Sequence, residues 1–356
     1  VSPESIRRDL MEMPRPAAIL VTGMMTYWYT GVQETIRLLR ECFPEVPIIL
    51  GGVYATLMPE HAAKWSRADE VVPGPGERNL SEVLFRLTGR GLEQRDHGES
   101  LECVPALDLM RTVRFLPLLT SRGCPFRCAY CASHRLVGGF MRLDLTAALQ
   151  EIEHAVVRYD VRDVALYDDA FLVDAARYAI PLLQASGERF PQLGWHSPNG
   201  LHAAAINSEV AAVMKKAAFE TIRIGLESSS DEFHAATGAK TDRASFEIAV
   251  RNLVDAGFSR KQIGVYLLVG LPGQSRERIE EDVEFVLRCG GYPKLAEYSP
   301  IPGTHLWTEA LEASRFPIHR EPLFHNCTLL PAASPQVDWS FLRDTRSRIA
   351  AAMAGE

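Results

Sequence analysis

The sequence predicts an α/β protein in two parts, a shortened open doubly wound (Rossmann-like) module followed by a partial (βα)6 TIM-type barrel. Three observations carry this. Short apolar runs bounded by Gly and Pro alternate with helix-length amphipathic segments along most of the chain. The alternation pauses in a polar, aperiodic stretch at 91–115 that holds Gly98 and Pro105. After the pause a strand-then-helix unit recurs about six times, short of the eight that close a full barrel.

In the first part, strands are expected at 17–22, 46–52 and 68–73, with an amphipathic helix at 32–42 whose apolar residues recur at 3–4 spacing. About three strands is fewer than the five or so usual in such a sheet. The chain opens on Val1 in a Pro-bearing helical piece, so a longer native N-terminus is expected. In the second part, strands are expected near 116–120, 164–167, 193–196, 221–226, 264–269 and 295–298, and crossover helices at 145–159, 208–218, 244–256 and 276–288. The domain reading is therefore 1–90 as the α/β module, 91–115 as linker, 116–305 as the barrel and 306–356 as a C-terminal extension. That extension carries Trp307, His325 and Cys327, with His305 just ahead of it, and is expected to cap the barrel mouth.

Composition narrows the function. With 356 residues the chain has room for two or three domains. Lys and Arg number 38 against 45 Asp and Glu, a formal charge of −7, which gives no basic footprint for nucleic acid. The longest apolar stretches fall short of the ~20 residues of a membrane span, and no signal segment opens the chain. Of seven cysteines, three crowd into eight residues, which is no disulfide framework and argues for a reducing, cytoplasmic setting.

The crowded cysteines are Cys124, Cys128 and Cys131 in Ser121-Arg-Gly-Cys-Pro-Phe-Arg-Cys-Ala-Tyr-Cys131, directly after the first barrel strand. Pro125 resists a helix through this stretch and Gly123 permits an unusual backbone angle, so a loop that wraps a metal centre is expected. Three thiolates can hold three corners of an iron–sulfur cube, which normally takes four cysteines. With Cys103 and Cys289 far off in sequence, one iron is left open to a small ligand. The alternative is a closed zinc site completed by His134. Cys42, Cys289 and Cys327 read as structural. Polar residues gather after successive barrel strands: Asp168 and Asp169, then Ser197 and Asn199, then Glu227 and Ser228, then Glu297 and Tyr298. Reactive groups of parallel β/α folds collect at that end. For Glu227 the bland alternative is an ion pair with Arg223.

Cys124-Pro-Phe-Arg-Cys128-Ala-Tyr-Cys131 resembles the signature of radical S-adenosylmethionine (radical SAM) enzymes, and the resemblance runs over roughly 116–305. Tyr167-Asp168-Asp169-Ala170-Phe171, Gly225-Leu226-Glu227-Ser228 and Gly270-Leu271-Pro272-Gly273 are similar to later strands of that barrel. The resemblance implies a 4Fe–4S cluster on the three cysteines, with SAM chelating the open iron and cleaved reductively to a 5′-deoxyadenosyl radical. It further implies SAM contacts from Tyr130 through its backbone, Glu227 and Ser228 on the fourth strand, Ser197 and Asn199, and packing of Gly270 and Leu271 on adenine. Asp168 and Asp169 would serve SAM or substrate. The partners implied are a small-molecule substrate and an external one-electron donor of flavodoxin or ferredoxin type.

Thr22-Gly23, Gly51-Gly52 and Gly74-Pro75-Gly76 each follow a strand, and their order is similar to the second half of the cobalamin-binding module that precedes the barrel in one branch of the family. Cobalamin is then an implied third cofactor, resting on Thr22, Gly23, Gly51, Gly52 and Gly76. The D-x-H-x-x-G loop of His-ligated members is absent, and Asp96-His97-Gly98 does not fit it. With cobalamin the expected reaction is methyl transfer; without it, radical oxidation or rearrangement. A non-enzymatic zinc or iron–sulfur protein is the alternative of another class. Tyr27-Trp28-Tyr29 is expected to pack between domains.

Overall fold

The computed structural model describes residues 2–91, 105–238 and 240–354. The remaining residues, among them Cys103, the Asp96-His97-Gly98 stretch and most of the expected linker, lie outside the described residues. The chain divides into two compact units. One takes residues 2–91 with Arg135–Gly138 and Ser299–Pro331; the other takes 105–134, Gly139–Tyr298 and 332–354. The C-terminal stretch is thus shared, 306–331 belonging to the first unit and 332–354 to the second.

The first unit is a three-stranded parallel sheet, β1 (Ile19–Thr22), β2 (Ile48–Gly51) and β3 (Glu70–Val71), in that spatial order. Its middle strand is apolar on both faces, as a doubly covered strand must be. Ile48 and Leu50 pack with Val32, Ile36 and Leu39 of helix Tyr29–Cys42, while Ile49 packs with Leu84 of helix Gly76–Thr88. Tyr27-Trp28-Tyr29 does not behave as one patch. Tyr29 packs edge-on against His61 at 4.9 Å and donates to Glu321, whereas Trp28 is 54% exposed. Tyr27 meets the Trp28 ring edge-on at 6.2 Å where a 3-10 turn spans Thr26–Trp28.

The second unit is the partial barrel. Six strands, β4 (Leu116–Leu118), β5 (Asp163–Leu166), β6 (Gly194–His196), β7 (Phe219–Glu227), β8 (Ile263–Val269) and β9 (Tyr292–Glu297), lie parallel in chain order, and a short strand Leu201–His202 adds to β7. Among the described residues β4 and β9 do not pair, so the sheet stays open at one side. The helices start where side chains can cap them: Asp144 accepts from Thr146 and Ala147 ahead of Leu145–Tyr159, Asn207 from Val210 ahead of Ser208–Lys216, and Asp242 from Ser245 ahead of Arg243–Asp255. Each cap contributes about 1 kcal/mol.

Strand alternation sorts the side chains. Val164, Leu166, Trp195, Ile222, Ile224, Val265 and Leu267 face the helices in one continuous core. Each fully buried side chain of this size contributes about 1.5–3 kcal/mol. The intervening positions, Asp163, Tyr167, His196, Thr221, Arg223 and Tyr266, line the barrel interior. This inner face is polar and aromatic where a closed barrel would be filled with aliphatic side chains.

Candidate functional site

The cysteine loop leaves β4 through a short antiparallel ribbon, Ser121–Arg122 against Met141–Arg142, and turns at Gly123 with φ of 75°. Cys124, Cys128 and Cys131 are all free thiols, and Cys128 is buried. A turn closes between Cys131 N–H and Cys128 C=O at 3.0 Å. Burial pushes the Cys124 and Cys131 thiols up, against the pull of a backbone N–H on each and of the Lys240 ammonium. Cys124 also senses Cys128 and Cys131, and Cys131 senses Cys128, so the three thiols lie in one region.

Two adjacent carboxylates hold the ends of this loop. Asp168, just past β5 and 4% exposed, accepts from Thr120 N–H at 3.0 Å, Thr120 Oγ1 at 2.7 Å and Ser121 Oγ at 2.5 Å. Burial pushes its carboxyl up while those donors pull it down. Asp169 accepts from Ser133 Oγ, and Ser133 N–H points at Cys131 Sγ at 3.4 Å. The middle of the loop is held from helix Asp231–Thr237. Ala129 N–H donates to Thr237 C=O at 3.0 Å, and Gly238, at φ 108°, passes so close that a Cβ there would lie 3.0 Å from the Arg127 carbonyl oxygen.

Glu227 ends β7 with φ of 68°, its side chain 13% exposed beside Lys240, Nζ to Oε1 at 3.9 Å. Burial pushes its carboxyl up; Lys240 and a hydrogen bond from Tyr130 oppose the shift. The expected alternative, an ion pair with Arg223, is not formed, since Arg223 donates to the Ile222 carbonyl instead. Tyr130, next to Cys131 in the loop, stacks on Phe233 at 6.4 Å. His202 packs edge-on to Phe126 at 4.5 Å, and burial pushes its imidazole down to about 3, so it is neutral at ordinary pH.

The other strand-end residues are engaged in holding loops. Ser197 Oγ accepts from Arg223 N–H at 3.1 Å, and Asn199 donates to Tyr167 C=O at 2.8 Å. Ser228 donates to Asp282, and the Gly270 and Leu271 N–H groups both reach Gln274 Oε1, at 2.9 and 3.3 Å. Sequence reasoning missed Thr120, Ser121, Ser133, Thr237, Gly238 and Lys240. Only the Thr237-Gly238 step carried a signal, as a glycine closing a short helix.

The donor set suits a cluster. Three free thiols of one loop, none of them in a disulfide, can bind as thiolates. Among the described residues no three His, Cys, Asp or Glu side chains gather as a single ion requires. In the first unit, Gly23 N–H donates to Gly51 C=O and Tyr54 N–H to Gly23 C=O, which locks the ends of β1 and β2 together. A Cβ on Gly52 would lie 2.4 Å from Thr22 Oγ1, whereas Gly74 and Gly76 have nothing within 4 Å. Met24, Met25 and Trp28 beyond β1 are exposed. A ledge of small residues flanked by exposed apolar side chains fits a large flat ligand with a polar tail. His61 Nδ1 is bonded to Tyr54, and both ring nitrogens of His325 are engaged, by Thr26 and Ile318.

Comparison with known proteins follows the same division. The model of the radical SAM superfamily matches residues 118–286, and that of the B12 binding domain matches residues 1–84. An uncharacterised methyltransferase of Pyrococcus horikoshii is 25% identical over 330 residues, 83% of this chain and 70% of the relative. The anaerobic magnesium-protoporphyrin IX monomethyl ester cyclase of Cereibacter sphaeroides is 23% identical over 348 residues, 87% of this chain but 55% of the relative. The chain thus spans between about half and two thirds of the length of such relatives. Among solved structures, the radical SAM methyltransferase TsrM of Kitasatospora setae, with tryptophan and a SAM analogue bound, superposes with a TM-score of 0.70 at 17% identity, covering 87% of this chain and 67% of that one. That likeness concerns the fold.

Proposed function

The chain belongs to the radical SAM superfamily and carries a B12-binding domain ahead of its barrel, and from that premise we propose that it is a cobalamin-dependent methyltransferase acting on a small molecule. The observation that carries the reading is the Cys124–Cys131 loop, clamped at both ends and in its middle beside the Glu227–Lys240 pair. The cluster and SAM supply one-electron cleavage of a sulfonium when bound, and methylcobalamin a transferable methyl group.

Cys124, Cys128 and Cys131 would hold the cluster, leaving the fourth iron for SAM. Glu227 and Lys240 present opposite charges side by side, which suits the ammonium and the carboxylate of a methionine moiety. Tyr130 holds Glu227 from the loop side. Ser197, Asn199, Ser228, Gly270 and Leu271 shape the strand ends around the adenosine, and Asp168 and Asp169 act by keeping the cysteine loop rigid. In the first unit Thr22, Gly23, Gly51, Gly52 and Gly76 would let the tail of cobalamin approach the backbone, while His61 and His325 stay bonded to Tyr54 and to Thr26 and Ile318. The cysteines among the described residues are free thiols, which supports a reducing cytoplasm. The electron would come from a flavodoxin- or ferredoxin-class donor. No helix among the described residues is long and apolar enough to cross a membrane.

The test is anaerobic reconstitution with iron and sulfide, then SAM and dithionite, measuring 5′-deoxyadenosine against the Cys124→Ala/Cys128→Ala/Cys131→Ala chain. Release by the unmutated chain alone is expected, together with uptake of cobalamin read from its visible spectrum. No release, or release from the triple variant, overturns the reading. The cyclase relative favours a second reading, radical oxidation of the substrate. A product heavier than substrate by one methylene, with label from methyl-labelled SAM, decides for methylation.

A further inference from the structure

Below the strand-end ring, the inner face of the barrel carries an open pocket of about 480 Å³. It is not an apolar hole. Asp163 on β5, His196 on β6 and Thr221 on β7 form a hydrogen-bonded row across three adjacent strands, His196 Nε2 to Asp163 Oδ1 at 3.1 Å and His196 Nδ1 to Thr221 Oγ1 at 3.0 Å. One position further along β7 stands Arg223. Its guanidinium lies flat over Gly264, where a Cβ would come within 2.7 Å of it. Its side chain has the Ile222 carbonyl as its polar partner and no carboxylate among the described residues. Arg114, on the segment entering β4, also lines the cavity and forms no ion pair among the described residues. Phe115, Tyr167 and Tyr266 supply flat apolar walls, and Tyr266 is fixed by donating to Pro198 C=O at 2.8 Å.

Arg223, partly withdrawn from water on the pocket wall, and the more exposed Arg114 both offer guanidinium donors that an anionic guest can take up in charge-assisted hydrogen bonds. Two arginines against one aspartate leave a single positive charge, which one carboxylate balances and a phosphate dianion exceeds. We propose that this inner cavity binds the carboxylate of a small, flat-bodied organic acid, with Arg223 and Arg114 on the acid group and Tyr167, Tyr266 and Phe115 against the body. Calling this guest the substrate rests on the reading of the reaction above; the binding itself does not.

The test uses the full chain without reductant and three probes of equal size: phenylacetate, phenylacetamide and phenyl phosphate, titrated by calorimetry. Saturable one-site binding of phenylacetate is expected, with the neutral amide at least ~10-fold weaker. Arg223→Gln lowers phenylacetate affinity about tenfold and Arg223→Lys restores part of it. Should Arg223→Gln fail to fold, Arg114→Gln, an exposed position ahead of β4, carries the same expectation. Equal binding of acid and amide, phosphate bound more tightly than carboxylate, or unchanged affinity in both arginine variants overturns the proposal. A chain that releases 5′-deoxyadenosine but binds no acid overturns this inference alone. One that binds the acid but releases none overturns only the reading of the reaction.

Discussion

Replacing Gly238 by alanine tests whether the cysteine loop is held by backbone packing from the following helix. Gly238 has φ of 108° and ψ of 12°, outside the conformations an L-residue adopts freely, which costs about 1–3 kcal/mol. The added Cβ would meet backbone atoms, Arg127 O at 3.0 Å, Arg127 C at 3.4 Å and Cys128 Cα at 3.5 Å, and these do not swing aside as a side-chain tip would. If the contact pushes the loop away, the Ala129 N–H to Thr237 C=O bond goes with it, about 1 kcal/mol more. The sum is roughly 2–4 kcal/mol, a fall in melting temperature of several degrees for a chain of this length. Gly187→Ala is the control, because that helical glycine has nothing within 4 Å and alanine there should stabilise by about 0.5–1 kcal/mol. The assay pairs thermal unfolding with iron and sulfide content after anaerobic reconstitution. Gly238→Ala should melt lower and load less iron than either the parent or the control. Full iron loading in a destabilised variant would show that the helix, not the loop, takes the strain, and would refute the clamp.

Two further outcomes follow from buried carboxylates. Asp168→Ala leaves the Thr120 N–H, Thr120 hydroxyl and Ser121 hydroxyl without their acceptor, so a loss of about 2–4 kcal/mol in denaturant unfolding is expected, with reduced iron content; an unchanged midpoint would sink the clamp role. Glu151 is buried in helix Leu145–Tyr159, and burial pushes its carboxyl from 4.5 up to about 7. The unfolded chain ionises it first, so no penalty exists below pH 4.5, the penalty grows as pH rises toward 7, and it is constant above. At 1.36 kcal/mol per unit the ceiling is about 3 kcal/mol, and roughly half is expected once water reaches the site. Glu151→Gln should therefore stabilise the fold at pH 8 and leave it unchanged at pH 4; equal effects at both pH values would refute the assignment.

The elements of both units were legible because their signals are local. Helix 145–159 is read to the residue from its amphipathic length between strands, and the barrel strands from short apolar runs between turns. The cysteine motif was legible because its spacing is itself the signal. What the sequence hid is pairing over distance. Asp168 reads as a mouth carboxylate until the fold sets Thr120 and Ser121 against it, 48 and 47 residues upstream. Arg223 reads as the partner of Glu227 from closeness in sequence and a shared strand face, yet the register shift between Gly225 and Glu227 re-aims the carboxylate, and Lys240 becomes its partner. The division of 299–354 between two units left no compositional trace.

The end of β7 shows why Gly225-Leu226-Glu227 takes that order. The register between β7 and β8 shifts between Gly225 and Glu227, and a shift of this kind bends a strand and re-aims the side chain beyond it. Glu227 then sits at φ 68°, a left-handed conformation that costs a non-glycine residue about 1 kcal/mol or more. Its carboxylate folds back over Gly225, where a Cβ would lie 2.7 Å from Oε1 and 3.1 Å from Lys240 Nζ. A Cβ at 225 would force the tips of this pair to shift. The strand therefore gives up a regular ladder, a side chain and an unstrained backbone within three residues. Each of these losses brings one buried carboxylate, with its lysine, beside the cysteine loop, a concentration of strain that packing alone would not maintain.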